Sequence, residues 1–310
     1  MGTIMPKKLL FIFNPHSGKA QIKNNLMDII DIFTRAGYDV TAHPTQAPMD
    51  AFEYISKNGS EYDRLVVSGG DGTLNEAVKG LMTFTPDKRM PMGYIPAGTA
   101  NDFAATLNIP KNMLDAARIA VEGSEFQCDT GRFGDRTFNY VAAFGAFTDV
   151  SYDTPQGTKN ALGHMAYILE GIKRLSSLPS YDVKIKYDGG EIEEKVFLCI
   201  VMNATSIAGI HNKNKLLDVN LNDGLFEMLV FKHPTSIAEI QNVFTGLLKG
   251  DASSDAYCII KSSHFEFECK ENIKWTLDGE YGGDPANAVI DVIPSAMTYI
   301  VNNDTVISEV

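Results

Sequence analysis

The stretch LVVSGGDGTLNEAVKGLM, residues 65–82, seats a carboxylate, Asp71, among three glycines. Gly69, Gly70 and Gly72 let backbone amides approach a ligand with no Cβ in the way. Leu74, Ala77, Val78 and Leu81 then recur at i, i+3, i+4 and i+7, so a helix follows and its first N–H groups point back into the loop. Such a terminus favours anions, phosphates above all. An Asp-Gly pair between apolar runs is also a hairpin-turn signal, but the helical spacing after it argues against that reading. What needs explaining is why negative charge sits where a phosphate chain is expected.

Familiar phosphate fingerprints do not fit. There is no G-x-x-x-x-G-K-[ST], and Gly70-x-Gly72 is followed by Asn75 where a dinucleotide site wants a third glycine. The catalytic-loop and metal-loop signatures of protein kinases are missing too.

Chemistry-bearing residues gather in four further places. NPHSG (14–18) reads by itself as an ordinary strand-to-helix loop, and Thr99 to Asp102 of IPAGTANDF (95–103) as a capping-box-like helix start. VNLNDGLFEM (219–228) carries Asn222-Asp223-Gly224, a good hairpin turn between apolar runs. WTLDGEYGG (275–283) puts Glu280 in a glycine-rich loop, where the plain reading is a solvated glutamate beyond an Asp278-Gly279 turn. Of the six histidines, His16 lies in a candidate site loop, and none shows Ser-His-Asp or paired-His spacing.

These loops must be held by elements, and the first third of the chain alternates strand and helix signals. KKLLFIFNP reads as a strand, and Ile22, Leu26, Ile29, Ile30 and Phe33 mark a helix that Gly37 stops. YDVTAHPT, RLVVSGG and PMGYIPAG read as further strands, with a short helix over 51–57. The alternation predicts a mostly parallel sheet with helices on its faces and ligands at the carboxyl ends of the strands. Beyond Gly123 strand signals dominate, beginning with a hairpin around Gly134 and Asp135. Two helices are expected there, near 162–175 and after Pro234, where Ile237, Ile240, Phe244 and Leu247 keep helical spacing. The fold class is therefore α/β: a parallel-sheet domain over 1–130, to which 298–310 returns, and a β-rich domain over 131–297.

Composition narrows the function. The chain has 310 residues, 44% of them hydrophobic, enough for two cores. A net charge of −12 argues against nucleic acid as a partner and against a strong attraction to anionic bilayers. No apolar run approaches the ~20 residues of a spanning helix, and the LLFIF run near the start is too short for a signal-peptide core. Cys128, Cys199, Cys258 and Cys269 are scattered singly and read as buried thiols of a reducing, cytoplasmic compartment.

Taken together and in this order, NPHSG, GGDGTLNE and IPAGTANDF, with VNLNDGLFEM and WTLDGEYGG behind them, resemble the diacylglycerol kinase catalytic-domain family, which includes soluble bacterial lipid kinases. The match runs from Asn14 to Gly283. The resemblance implies an ATP-dependent lipid kinase with a nucleotide domain, a β-rich lipid-binding domain and an active site in the cleft between them. Asn14, Pro15, His16, Ser17, Gly18 and Thr45 would contact nucleotide. Gly70, Asp71, Gly72, Thr73, Leu74, Asn75 and Glu76 would wrap the phosphates, with Thr99 nearby.

The carboxylate then has a reason. Mg2+ takes oxygen ligands, keeps several waters and bridges protein carboxylates to phosphates. Asp71 would hold that ion through water, joined, as the resemblance implies, by Asp102 and Asp129. It also implies a structural Mg2+ at Asp223 with carbonyls near Asn220 and Leu225, a reading compatible with a plain turn, and it makes Glu280 the general base. The expected reaction gives phosphatidic acid from diacylglycerol at a membrane surface, met peripherally from the cytosol. Lys19, Lys173, Arg174, Lys213 and Lys215 could form a basic patch or plain solvated surface. A soluble acceptor such as NAD and a non-catalytic nucleotide-binding regulator are the rival readings, TANDF and LDGE favouring the lipid branch. A homodimer stays open.

Overall fold

The computed structural model describes residues 6–99, 101–146, 179–207, 210–211, 217–236, 238–239 and 255–303. The chain divides into two units, Met1–Asp129 with Pro294–Glu309, and Thr130–Ile293. The helix expected near 162–175 lies outside the described residues, as does nearly all of the one after Pro234.

In the first unit the chain runs β1 (Lys7–Phe13), α1 (Ile22–Arg35), β2 (Tyr38–Pro44), α2 (Asp50–Asn58), β3 (Arg64–Gly69), α3 (Asp71–Leu81), β4 (Met92–Pro96), α4 (Asp102–Thr106), α5 (Met113–Glu122) and the start of β5 (Ser124–Phe133). Four strands pair parallel in the order β2-β1-β3-β4, registered Leu9↔Val40, Phe11↔Val66 and Val67↔Tyr94. The last strand, β17 (Asn287–Val301), adds itself beside β4 through Tyr299↔Met92. Leu9 to Ile12 and Leu65 to Val67 are fully buried, as expected of parallel strands covered on both faces by helices. This is the α/β architecture the alternation predicts.

Local chemistry sets the helix ends. Gly37, at φ 90°, donates its N–H to the Thr34 carbonyl and closes α1. Asn112 caps α5, its Oδ1 accepting from Leu114 and Asp115 N–H. The periodicity reading passes over α5 because its buried stripe, Met113, Ala116, Ala117 and Ala120, is mostly alanine. Those small residues let it lie close on β4: a Cβ on Gly93 would stand 2.4 Å from the Cβ of Ala120.

The second unit is antiparallel. After the remainder of β5 come β6 (Arg136–Phe138), β7 (Val141–Gly145), β8 (Tyr181–Tyr187), β9 (Gly190–Met202), the dipeptide strands β10 (Ser206–Ile207) and β11 (Ile210–His211), β12 (Phe226–Lys232), β13 (Tyr257–Ser262), β14 (His264–Cys269), β15 (Trp275–Leu277) and β16 (Glu280–Gly283). The sheet order is β16-β15-β7-β9-β8-β14, continuing to the start of β17, with β13-β12 also laid on β9. The hairpin expected around Gly134 forms, Phe133 pairing with Arg136. Trp275 anchors the core, its ring 4.7–5.0 Å from those of Phe144, Phe267 and Phe133. Cys128 and Cys199 are buried thiols, raised in pKa by burial, whereas Cys258 and Cys269 are half-buried rather than buried as the sequence suggested.

On this unit's surface His264 donates or accepts at both ring nitrogens, 2.7 Å from Asp291 and 3.2 Å from Glu266, while Arg132 holds the other Asp291 oxygen at 2.8 Å. The bond to Asp291 raises the imidazole pKa above its ordinary value of 6.5, against a smaller opposing effect of burial. A group raised on folding stabilises below its unfolded pKa and loses that contribution as pH rises through the folded value. His264→Gln should therefore melt below the wild type near pH ~5.5 and converge with it above pH ~8.5. Thermal melts at the two pH values check this; a gap that widens with pH contradicts it.

Candidate active site

Three loops leave the carboxyl ends of β1, β3 and β4, and glycines decide how near they come. Gly18, at φ 54°, lies so close to the β4 loop that a Cβ there would stand 2.2 Å from the Ala97 carbonyl oxygen. A Cβ on Gly98 would meet the Cα of Gly70 at 2.6 Å. Backbone bonds tie the loops: Asn14 N–H to Ser68 O at 2.8 Å, Ala97 N–H to Gly69 O at 2.8 Å, and Gly70 N–H to Ser17 Oγ at 3.3 Å. The buried Tyr94 hydroxyl donates to the same Gly69 carbonyl at 3.1 Å.

Asp71 opens α3 directly behind Gly70, which adopts extended backbone. Its Oδ2 accepts the Asn101 N–H at 3.1 Å, while its buried Oδ1 has no hydrogen-bonding partner among the described residues. Burial, and after it the charge of Asp102, push this carboxyl up to about 6, although the N–H groups of Asn101, Phe103 and Asp102 pull the other way. A buried carboxylate oxygen without a donor suits a cation better than it suits the empty protein. Asp71, with Asp102 beside it, therefore fits Mg2+ as an ion completed by waters and phosphate oxygens.

The other expected residues divide. Asn14 Nδ2 donates to Thr73 Oγ1 at 3.4 Å and Asn14 Oδ1 accepts the His16 N–H at 2.9 Å, so NPHSG and the α3 loop meet. Pro15 lies between them, Thr99 is an exposed loop residue, Gly72 is exposed in the first turn of α3, and Asn75 is buried on the same helix. Thr45 is buried at the end of β2, its N–H on Phe13 O at 2.9 Å. Two of the residues expected to wrap phosphates are otherwise engaged. Leu74 is wholly buried and its N–H goes to Gly70 O, so it serves the core. Glu76 turns its carboxylate to the start of α2, accepting from Met49 N–H at 2.8 Å and Ala51 N–H at 3.3 Å. The expected network of three aspartates is not assembled: among the described residues no three His, Cys, Asp or Glu side chains gather to hold an ion. Asp129 is buried in β5, where its Oδ1 accepts the Ser295 N–H at 2.7 Å and braces β17 instead.

Asn101 is the residue the sequence reading misses. It sits in left-handed backbone at φ 54°, ψ 48°, and its side chain clamps Gly98 twice, Oδ1 accepting the N–H at 2.9 Å and Nδ2 donating to the carbonyl at 2.8 Å. With its own N–H on Asp71, it joins two of the loops and displaces Thr99 as the cap of α4. Its signal was its type, since asparagine tolerates this conformation better than most side chains.

In the second unit Glu280 is exposed at the start of β16. The turn before it, Asp278 at φ 48° and Gly279 at φ 84°, is a two-residue hairpin loop with both residues left-handed. The Asp278 carboxylate, buried, accepts the N–H groups of Asn139, Tyr140 and Val141 at 2.6–3.1 Å and so fixes the hairpin that carries Glu280. The loop expected to hold structural Mg2+ fits an ion poorly. Asp223 Oδ1 accepts the Leu225 N–H at 3.0 Å, Asp223 Oδ2 meets Lys261 Nζ at 2.9 Å, and Asn220 Oδ1 accepts the Asn222 N–H at 3.3 Å. Beside a fixed ammonium at about 4 Å, a divalent ion would face repulsion of roughly 8 kcal/mol at an effective dielectric of about 20.

Comparisons with known proteins give the family. The diacylglycerol kinase catalytic domain matches residues 8–133. A diacylglycerol kinase of Bacillus subtilis (strain 168) is 35% identical over 281 residues, covering 89% of this chain and 91% of that protein. One from Staphylococcus aureus (strain MRSA252) is 34% identical over 287 residues, covering 91% and 89%. A crystal structure of a diacylglycerol kinase from Bacillus anthracis str. Sterne superposes with a TM-score of 0.76 at 25% identity, covering 97% of this chain and 98% of that one. The chain belongs to the diacylglycerol kinase family. It is an enzyme, a kinase.

Asp71 carries a measurable cost. Its folded pKa of about 6 lies above the ordinary 3.8, so folding disfavours its ionised form. The penalty grows as pH rises from about 4 to 6 and is complete above, on the order of 2–3 kcal/mol. In buffer free of nucleotide and divalent ions, Asp71→Asn should melt above the wild type at pH ~7.5 and lose that advantage near pH ~4. A variant that melts lower at pH ~7.5 contradicts the assignment of a desolvated, partly compensated carboxylate.

Proposed function

We propose that the chain moves the γ-phosphoryl group of ATP to the hydroxyl of diacylglycerol, giving ADP and phosphatidic acid. The observation that carries this reading is the half-buried Asp71 carboxylate, its buried Oδ1 without a hydrogen-bonding partner among the described residues, at the head of a helix where three glycine-bearing loops meet. The first-turn amides of α3 and the NPHSG loop, with Thr45 and Thr99, are assigned to the nucleotide. Mg2+, when bound, neutralises charge on the phosphates as they are transferred. Asp71 and Asp102 are the residues assigned to hold it.

Glu280 is assigned to the acceptor. The lipid oxygen attacks the γ-phosphorus, the bond from that phosphorus to the bridging oxygen breaks, and the hydroxyl proton passes to the Glu280 carboxylate. Exposure suits a group that must be reached by a substrate, and the Asp278 clamp keeps its hairpin in one shape. The diacylglycerol kinases that this chain resembles supply the substrate class. None of the described helices is long and apolar enough to cross a membrane. The lipid is therefore assigned to a peripheral encounter with a bilayer from the cytoplasm; of the basic residues considered for that contact, Lys173, Arg174, Lys213 and Lys215 lie outside the described residues.

The test is direct. Incubation with labelled ATP, Mg2+ and mixed micelles of diacylglycerol should yield labelled phosphatidic acid, and NAD in place of lipid should yield no labelled product. Glu280→Gln should lower turnover by ~10²–10⁴ with nucleotide affinity unchanged, as expected when a base rather than a binding group is lost. Label on NAD, or near-normal lipid turnover by Glu280→Gln with the chemical step isolated, contradicts the reading.

A further inference from the structure

The loop 217–225 is where resemblance places a structural divalent ion, and it already holds a positive charge. We propose that the ammonium of Lys261 is the resident cation of this loop, so that the second unit needs no divalent ion for its order. Nothing here depends on the kinase reading.

Three oxygens surround one nitrogen. Lys261 Nζ lies 2.9 Å from Asp223 Oδ2 and 3.2 Å from Glu227 Oε1, and donates to the Asp218 carbonyl at 3.0 Å. The Asp218 carbonyl accepts one of the ammonium protons, and the Asp223 and Glu227 carboxylates, from separate parts of the loop and strand, lie within ion-pair distance of the same nitrogen, although neither Glu227 oxygen accepts a hydrogen bond among the described residues. The position is built by the sheet: Lys261 on β13 faces Glu227 on β12 in register. Glu227 is 2% exposed, and a carboxylate so buried needs a cation close by. A covalently attached ammonium answers that need at any ion concentration. The remaining Asp223 oxygen is taken by the Leu225 N–H, and Asn203 Nδ2 holds the Leu221 carbonyl at 3.3 Å, so the loop is closed by its own protein contacts. A divalent ion brought to Asp223 would have to displace the lysine first.

The consequence is that the order of this loop is independent of divalent ions. Thermal melts of nucleotide-free protein in EDTA and in Mg2+ test it, together with Mn2+ titration read as paramagnetic broadening of the backbone NMR signals of Asp223, Leu225 and residue 261. The wild type should melt within about 1 °C in the two buffers, with those signals unbroadened. Lys261→Met should melt several degrees lower in EDTA, recover with Mg2+, and show broadening at Asp223 and Leu225, because the vacated carboxylates then accept an ion. Wild-type broadening at Asp223 and Leu225 equal to that of the variant overturns the proposal. So does Lys261→Met that is as stable as wild type in EDTA. Should Lys261→Met fail to fold, Lys261→Arg keeps the charge and should melt near the wild type in EDTA; an arginine variant that also fails overturns it.

Discussion

The approach of backbone to backbone at Gly70 and Gly98 is the constraint on which the first unit's site depends. No side chain fits between these two residues, so the loops after β3 and β4 meet through main chain, and Asn101 can bond to both. Close packing there sets Asp71 half-buried against the β4 loop, with its Oδ1 out of solvent. The same closeness engages the Gly69 and Gly98 carbonyls and the Gly98 N–H within the protein. The left-handed backbone of Asn101 is the local cost, while Gly18 adopts the same region freely.

The two units solve the problem of holding a carboxylate differently. Asp71 is half-buried with one oxygen lacking a partner among the described residues and is therefore suited to take an ion. Asp278 is buried with three N–H donors and is a fixed structural anchor for the hairpin that bears Glu280. Glu227 is buried beside Lys261; desolvation still pushes it up to about 7 against the lysine's pull. Burial by itself does not distinguish these roles; the number and kind of donors does.

Much of this was legible in the sequence, for reasons that residues make plain. Parallel strands buried on both faces leave continuous apolar runs such as LLFIF, and glycines at strand ends mark close backbone approach, so the first unit's order and its three loops could be read directly. Duties that depend on where a side chain turns could not. Glu76 stands on the motif helix, yet its carboxylate goes to α2; Asp129 lies in a motif-like QCDTG, yet it braces Ser295. Asn101 escaped because its importance lies in backbone conformation, which type suggests but spacing does not encode. Lys261 lies 38 residues from Asp223, and only strand register brings them together.

One strand has a consequence for how the protein is made. β17 begins in the second unit and ends in the first, where Tyr299 pairs with Met92 and the Val301 carbonyl oxygen would lie 2.2 Å from a Cβ on Gly123. Arg89 also reaches the Ala296 carbonyl at 2.8 Å. The first unit cannot complete its sheet until β17, which follows the second unit along the chain, has been synthesised. On a ribosome its β4 edge stays uncovered while the whole intervening unit emerges, so the nascent chain depends on delay, or on a chaperone, to keep that edge from pairing elsewhere.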